Sequence, residues 1–262
     1  MKELDDVQNE PDDRNLPIDR VGVKALRYPV EIKDKSNLIQ STVATVSLAV
    51  DLPRHYKGTH MSRFVETLNA HGPQLSVRDM SAIPLELLNR LGAERAHVVF
   101  DFPFFLSKKA PATGAVGLMD YQVGFELEAY REEVDFMLRV EVPVTTLCPC
   151  SKAISSRGAH NQRGIVTFGV RFGEPIWIED LIGLVESCAS SQLYSLLKRP
   201  DEKEVTQRAY DNPVFVEDLV RNVAVKFDAQ PNILWYRIEA ENFESIHNHN
   251  AYAMIVKESP ES

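Results

Sequence analysis

Residues 134–152 carry the sequence VDFMLRVEVPVTTLCPCSK, which joins a patterned strand to a group of reactive side chains. Apolar residues recur at every second position from Val134 to Val144, an alternation typical of a β-strand with one buried face. Two thiols and a lysine follow at once, and the next loop, 155–164 with the sequence SSRGAHNQRG, adds an imidazole, further cations and hydroxyls. Loops at strand ends combine a rigid support with access to solvent, so this segment is a candidate functional site.

The strand belongs to the second of two similar halves. In the first half the patterns predict strands at 30–32, 39–52, 97–106 and 115–130, and helices at 62–70 and after a cap at Asp79. In the second half they predict strands at 134–146, 164–172, 233–241 and 251–256, a helix at 178–197 and another that starts at Asn212 or Pro213. Each half therefore repeats the order ββααββ, which predicts an α+β fold of antiparallel sheets with helices on one face.

This repeat predicts two domains, at 18–131 and 132–262. Residues 1–17 are acidic, polar and interrupted by Pro11 and Pro17, which predicts a disordered tail. The remaining length, with 44% hydrophobic and 26% charged residues, is ample for two globular cores.

Overall charge excludes some partners. The net charge of −9 disfavours binding of a nucleic-acid backbone, although a locally basic cleft could still hold an anion. We recognise neither a signal sequence nor an apolar run long enough for a bilayer, so we expect a cytoplasmic protein that binds no membrane. Of the three cysteines, Cys148 and Cys150 are too close for an ordinary disulfide, and Cys188 fits the apolar face of a helix.

Several residues of the second half are candidate metal ligands. Cys148 and His160 lie in one loop, and thiolate and imidazole both bind zinc and other borderline divalent metals. Two further imidazoles, His247 and His249, lie between two predicted strands, and Glu202 follows a predicted helix. Each is an ordinary loop or surface residue when taken alone, and their occurrence together favours a metal site.

Other residues could bind a nucleotide. Glu217, near a helix start, could accept the N1–H and 2-amino hydrogens of guanine, although an acidic residue there also simply complements the helix dipole. Lys57, His60 and Arg63 surround another helix start, an arrangement that suits phosphate or forms an ordinary basic turn. The sequence has neither a Walker loop nor a dinucleotide-binding fingerprint.

Four motifs together resemble the type IB GTP cyclohydrolases: KGTHMSRF at 57–64, PVTTLCPCSK at 143–152, HNQRG at 160–164 and SIHNH at 245–249. The resemblance extends from about Pro17 to the C-terminus. It implies the tunnelling fold, with two such domains in tandem, and the first reaction of folate synthesis, in which GTP and water give formate and 7,8-dihydroneopterin triphosphate.

The resemblance also implies roles for individual residues. The metal, which could be manganese, iron or zinc, would be held by Cys148, His160, Glu202 and His247. Glu217 would anchor guanine, and His249 or His60 would transfer protons. The cations implied for the triphosphate are Lys57, Arg63, Lys152 and Arg163. The family forms homotetramers with active sites between subunits.

Three alternatives remain open at this point. A nitrile reductase of queuosine synthesis shares the fold and would use Cys148 as a nucleophile without a metal. Archaeal relatives of type IB release a cyclic phosphate. A purine- or pterin-binding protein would bind its ligand without releasing formate.

Overall fold

The computed structural model describes Gln8 and residues 10–36, 38–73 and 77–257. The strands are β1 (Ile18–Asp34), β2 (Leu38–Leu52), β3 (Arg95–Lys109), β4 (Val116–Tyr130), β5 (Glu133–Leu147), β6 (Asn161–Phe172), β7 (Ser191–Gln192), β8 (Ile233–Asn242) and β9 (Ala251–Val256). The helices are α1 (Met61–His71), α2 (Val77–Leu91), α3 (Pro149–Ile154), α4 (Ile178–Glu186), α5 (Arg199–Asp211) and α6 (Val216–Asp228). None of the helices in these ranges is long and apolar enough to cross a membrane.

The chain contacts separate two compact units, and the first comprises Met1–Phe102 and Gly124–Met137. In this unit β2 pairs antiparallel with β1 on one side and with β3 on the other. The helices α1 and α2 pack against each other and against these strands. Their inward-facing side chains, including Phe64, Leu68, Ile83 and Leu87, are completely buried, as the apolar spacing of both helices requires.

The second unit comprises Pro103–Val123 and Leu138–Ser262. Here β6 lies between β5 and β8, β9 pairs with β8, and all these pairs are antiparallel. Helix α6 covers β8 and β9. Its Phe227 contacts Phe168 of β6 edge to face, with ring centroids 5.4 Å apart, and both rings are fully buried.

The pairing of β5 with β6 places the two motifs of the reactive segment side by side. The register continues to the pair Leu147 and Asn161, the last residue of β5 and the first of β6. Immediately beyond it, the backbone N–H of Cys148 donates to the carbonyl of His160 over 3.0 Å. Residues twelve positions apart in sequence therefore meet because the strand register brings them together.

The predicted fold class is confirmed: the structure is α+β, with antiparallel strands and helices on one face. The domain limits 18–131 and 132–262 stay a prediction. Within the predicted tail, residues 1–7 and residue 9 lie outside the described residues. Pro11 forms a bridge with Tyr56, and Glu10 pairs with Lys57 at 2.5 Å.

The predicted helix 178–197 was too long. Helix α4 ends at Glu186, and the small hydroxyl residues that follow form a loop in which the Ser190 hydroxyl accepts the N–H of Leu147 at 3.0 Å. Serine side chains that bond to nearby backbone groups compete with helix continuation, and the Ser187 hydroxyl does so by donating to the Leu184 carbonyl at 2.5 Å. Helix α5 was missed altogether, because it buries only Asp201 and Ala209 and so has little apolar periodicity.

Other boundaries also differ from the predictions. Helix α6 starts at Val216 rather than at Asn212 or Pro213, and Asp79 lies inside α2 rather than at its cap. Strand β1 extends well beyond the predicted 30–32, since its ladder with β2 runs from Ile18 to Asp34. The short helix α3 occupies part of the predicted loop.

Candidate active site

Cys148 is built into the start of α3. Its Sγ accepts the N–H of Ser151 over 3.4 Å, which caps the helix, and Pro149 occupies the first turn. The Ser151 hydroxyl donates to the Cys148 carbonyl at 3.1 Å and accepts the N–H of His160 at 3.2 Å. Ser151 thus connects Cys148 to His160, and the thiol remains free and partly accessible.

Three imidazoles and one carboxylate form the imidazole cluster, which we define as His160, Glu244, His247 and His249. His160 and His247 lie with ring centroids 6.3 Å apart, and His247 stacks on His249 at 5.1 Å. One Glu244 oxygen, Oε2, lies 3.8 Å from Nδ1 of His160 and 3.7 Å from Nδ1 of His247. The structure brings the predicted residues His160, His247 and His249 together and adds Glu244, which was not predicted.

The buried amide of Gln162 contacts two members of the imidazole cluster, His160 and Glu244. Oε1 of Gln162 lies 3.0 Å from Nδ1 of His160, and Nε2 of Gln162 donates to the Thr146 hydroxyl at 3.0 Å and to Glu244 Oε1 at 3.4 Å. Neither Gln162 nor Thr146 was predicted as a site residue, yet the sequence contains a signal for both. Thr146 lies on the same buried face of β5 as Val144, and Gln162 lies on the same buried face of β6 as Val166. An apolar side chain is the rule at such positions.

The donor set is chemically suited to a divalent metal. The contacts of the imidazoles with Gln162 and Glu244 involve Nδ1, which leaves the opposite ring nitrogen for a ligand. Thiolate, imidazole and carboxylate together match zinc or iron(II). Among the described residues, no group of three or more His, Cys, Asp or Glu side chains is already arranged to hold an ion. The predicted ligands would therefore have to move closer together to bind one.

Glu202 lies on α5, exposed to solvent. In the ranges that the structure describes, no hydrogen bond or ion pair joins its carboxylate to Cys148 or His160. Its neighbour Asp201 is fully buried and fastens the helix start, because it accepts N–H groups from Ala112, Thr113 and Lys198 at 2.8–2.9 Å. Glu202 is therefore carried on a firmly anchored helix.

Glu217 lies in the first turn of α6 and is also exposed. The segment before it is tied to the reactive strand, since the N–H of Val214 donates to the Leu147 carbonyl at 3.1 Å. The Asn212 side chain donates to the Ala189 carbonyl at 2.9 Å. These bonds bring the start of α6 to the same end of β5 as Cys148, although Glu217 has no side-chain contact with the imidazole cluster in the described part of the chain.

The predicted cations occupy different surroundings. Lys152 lies on α3, where its ammonium group bonds to the Tyr210 carbonyl and covers the Tyr210 ring at 4.4 Å from the centroid. Arg163 is exposed on β6. The other predicted phosphate-binding residues belong to the first unit: Lys57 pairs with Glu10, His60 occupies the N-cap position of α1, and Arg63 donates to the Arg90 carbonyl at 3.1 Å.

The first unit contains a cavity of about 1100 Å³ at the ends of β1 to β4. It is lined by Arg20 and by His97, whose Nδ1 lies 3.1 Å from Glu128 Oε1. Burial, together with the charge of Arg20, lowers the pKa of His97. None of the predicted site residues lines this cavity, so we place the candidate active site at the imidazole cluster, where the reactive groups meet.

Comparison with known proteins identifies relatives of this chain. Enzymes named GTP cyclohydrolase FolE2 are similar over nearly their whole length. The one from Akkermansia muciniphila is 67% identical over 261 residues, covering 98% of this chain and 99% of the other. The one from Geotalea uraniireducens is 54% identical over 258 residues, covering 98% and 95%.

Solved structures of low sequence identity share the fold. Uricase from Arthrobacter globiformis superposes with a TM-score of 0.55 at 10% identity, covering 93% of this chain and 95% of that one. Urate oxidase from Bacillus sp. TB-90 gives 0.54 at 8% identity, covering 92% and 100%. This likeness concerns the fold alone and confirms the tunnelling fold expected from the sequence.

A sequence profile of the family described as "Type I GTP cyclohydrolase folE2" matches residues 4–253. The match takes in every motif of the reactive segment and the whole imidazole cluster. Together with relatives that are more than half identical, it shows that the chain belongs to the type I GTP cyclohydrolase family, folE2.

Proposed function

We propose that the protein is the type IB enzyme, which converts GTP and water to formate and 7,8-dihydroneopterin triphosphate at the imidazole cluster. Membership of the family establishes a GTP cyclohydrolase of folate biosynthesis. The observation that carries the location of the site is the meeting of Cys148 and His160 at the paired ends of β5 and β6, with His247 beside them.

Cys148, His160, Glu202 and His247 would hold one divalent metal in each active site. The chemistry that such a metal supplies when bound is the activation of water near neutral pH. The Cys148 thiolate favours zinc or iron(II) over manganese by its softness, while availability decides among them in the cell. The backbone N–H of Ser151 donates to the Cys148 sulfur and so fixes the orientation of this side chain.

Glu217 would orient the base. Its carboxylate accepts two parallel hydrogen bonds, from N1–H and the 2-amino group of guanine, which turns C8 toward the imidazole cluster. Water adds to C8 and the imidazole ring of guanine opens to leave a formamide, which a second water hydrolyses to formate. The ribose then rearranges, and the pterin ring closes with loss of one water, so that one water is consumed overall.

Proton transfers accompany each of these steps. His249 is the candidate acid and base, because it is exposed, stacks on His247 and has its Nδ1 3.4 Å from the carbonyl of Asn250. Lys152 and Arg163 lie on the same unit as the cluster and would bind the triphosphate. Lys57, His60 and Arg63, all in the first unit, are the other candidates for phosphate binding.

Assembly as a homotetramer with active sites between subunits is part of the proposal. It accounts for the exposure of Glu202 and Glu217, because a carboxylate in solvent in one chain can be enclosed by another. A cytoplasmic location and the linear form of the product stay predictions.

The test is GTP turnover by protein that has been purified without oxygen and treated with a chelator. Manganese, iron(II) or zinc is added back separately, and formate and oxidised, dephosphorylated neopterin are measured. We expect both products in equal amounts and only with metal. A cyclic phosphate product would revise the final step, whereas substrate binding without formate in a well-folded tetramer would overturn the proposal.

A further inference from the structure

We propose that Gln162 is a positioning residue that fixes which ring nitrogen of His160 carries the proton. It does so by presenting its carbonyl oxygen to Nδ1, which keeps Nε2 free as a metal ligand. The inference deepens the proposed function and rests on it for the role of Nε2. The assignment of the proton itself follows from contacts within the second unit.

The orientation of the Gln162 amide is dictated by Glu244. A carboxylate can only accept hydrogen bonds, so the group of Gln162 that lies 3.4 Å from Glu244 Oε1 has to be the NH₂ group. The second amide hydrogen goes to the Thr146 hydroxyl at 3.0 Å. Both donors of the amide are therefore used, and only its carbonyl oxygen is left to face His160.

The orientation of the amide in turn dictates the state of the ring. Oε1 of Gln162 lies 3.0 Å from Nδ1 of His160, and two acceptors cannot share a hydrogen bond. Nδ1 must therefore bear the hydrogen. A neutral imidazole with its hydrogen on Nδ1 has its lone pair on Nε2, which is the form that binds a metal.

Burial makes these contacts hard to exchange for water. Gln162 is only 8% exposed and Thr146 is completely buried. The side chains of His160 and Glu244 are 13% and 11% exposed. Removing the hydrogen-bond partner of a polar group at this depth destabilises the folded protein, because water does not replace the partner. The four side chains are therefore held in one arrangement.

Strand geometry explains why this arrangement is stable. Thr146 and Gln162 face each other across the β5–β6 ladder, and both point to the buried side. Glu244 follows β8, which pairs with β6, so a third element reaches the same amide. The proton on His160 is thus set by residues from three neighbouring elements.

The test reads the proton position directly in the full-length protein. The seven histidines are labelled with ¹⁵N, and long-range ¹H–¹⁵N correlation at alkaline pH distinguishes the two neutral tautomers. His160 is assigned from the signal that disappears in His160→Gln. The measurement is made on chelator-treated protein without GTP, so it does not depend on catalysis. Zinc affinity is measured separately by competition with a chelator.

We expect the wild-type protein to show Nδ1–H at His160. Gln162→Leu should give a mixture of tautomers and weaken zinc binding by roughly 10- to 100-fold, the usual effect of losing a partner of a metal-bound histidine. Glu244→Gln should also give a mixture, because the amide of Gln162 can then turn. Gln122→Leu is the matched control, since Gln122 is exposed on β4, and it should change neither property.

An Nε2–H signal in the wild type would overturn the inference, as would an unchanged Nδ1–H signal in both site variants. If Gln162→Leu does not fold, Thr146→Val decides, because it removes one of the two acceptors that hold the amide and should shift the tautomer in the same direction. A protein that shows the expected tautomers but no metal-dependent turnover would sustain the inference on Gln162 while contradicting the proposed function.

Discussion

Thr113 binds Asp201 twice: its backbone N–H donates to one carboxylate oxygen at 2.8 Å and its hydroxyl donates to the other at 2.7 Å. Two residues far apart in sequence thereby attach the turn between β3 and β4 to the start of α5. Burial alone would raise the pKa of Asp201, but the hydrogen bonds from Thr113, Lys198 and Ala112 outweigh it and hold that pKa well below its usual range.

This lowered pKa predicts how stability depends on pH. A carboxyl group with a depressed pKa in the folded state stabilises the fold above its unfolded pKa of about 4, and this stabilisation is lost as the pH falls toward the folded value. Asp201→Asn should therefore melt at a lower temperature than the wild type at pH 7. The difference should shrink below about pH 4. Thermal unfolding across this range measures both curves.

Asp211→Asn is the control for that experiment, because Asp211 is exposed at the other end of the same helix. Its melting curve should follow the wild type at every pH. Parallel curves for Asp201→Asn and wild type down to acid pH would show that the buried carboxylate does not contribute in this way.

Removal of either central ligand should remove both metal and activity. In Cys148→Ala or His160→Ala we expect metal content to fall to background and GTP turnover to be lost, because each supplies one direct donor in the proposed site. Metal analysis and formate release test this. Cys150→Ala provides the matched thiol control, since Cys150 is exposed, and it should retain metal. A variant at Cys148 with full metal and full rate would refute the assignment.

Loss of Glu217 should affect the substrate and leave the metal in place. Hydrogen bonds to a charged group contribute about 1.5–3 kcal/mol, so Glu217→Ala should raise KM for GTP roughly 10- to 150-fold. Steady-state kinetics and metal analysis on the same preparation separate the two effects. Asp218→Ala, next to it and paired with Arg221 at 3.3 Å, should leave KM nearly unchanged. An unchanged KM in Glu217→Ala would exclude its role in binding guanine.

A buried ion pair in the second unit should be costly to break. Glu186, 5% exposed, accepts the ammonium of Lys108 at 2.7 Å and the hydroxyl of Tyr121 at 2.7 Å. Burial lowers the pKa of Lys108 and raises that of Tyr121. Lys108→Met leaves a buried carboxylate without its cation, so we expect a loss of about 3–5 kcal/mol in the free energy of unfolding.

Urea denaturation at fixed protein concentration measures this loss. Lys109→Met serves as control, because Lys109 is the next residue on β3 but is exposed, and surface changes usually alter stability by less than about 0.5 kcal/mol. Equal stabilities of the two variants would mean that the pair with Glu186 contributes little beyond its own desolvation.

The sequence predicted best those strands in which one face is buried and apolar and the other face is more exposed. From Leu138 to Val144 the alternation of buried and half-buried positions follows the apolar pattern closely. The same alternation explains why Thr146 and Gln162 were not predicted as site residues. Thr146 closes the predicted strand 134–146 and Gln162 precedes the predicted strand 164–172, and a polar residue at a strand end gives no sign of burial, although both are buried.

Helix α5 could not be predicted, because it buries too few apolar side chains to produce a periodic pattern. Its interior contact is made by a carboxylate that binds backbone N–H groups of a distant turn, and no local pattern announces that partner. The closeness of Cys148 and His160 could be anticipated from the loop between two strands, whereas the position of Glu244 between two imidazoles depends on β8 pairing with β6. A side-chain network built from three separate elements depends on the tertiary fold, which no local sequence pattern predicts.

The contact between Gln162 and Glu244 spans 82 residues of chain. A ribosome-bound chain that has been synthesised only as far as Asn242 already contains Cys148, His160 and Glu202, yet lacks Glu244 and both histidines of the last loop. During synthesis, a thiol and one imidazole are therefore available to metal before the carboxylate that orients the ring and the other imidazoles have been made. If the proposed site binds its metal through these residues, selection of the ion would be completed only in the last moments of translation or afterwards.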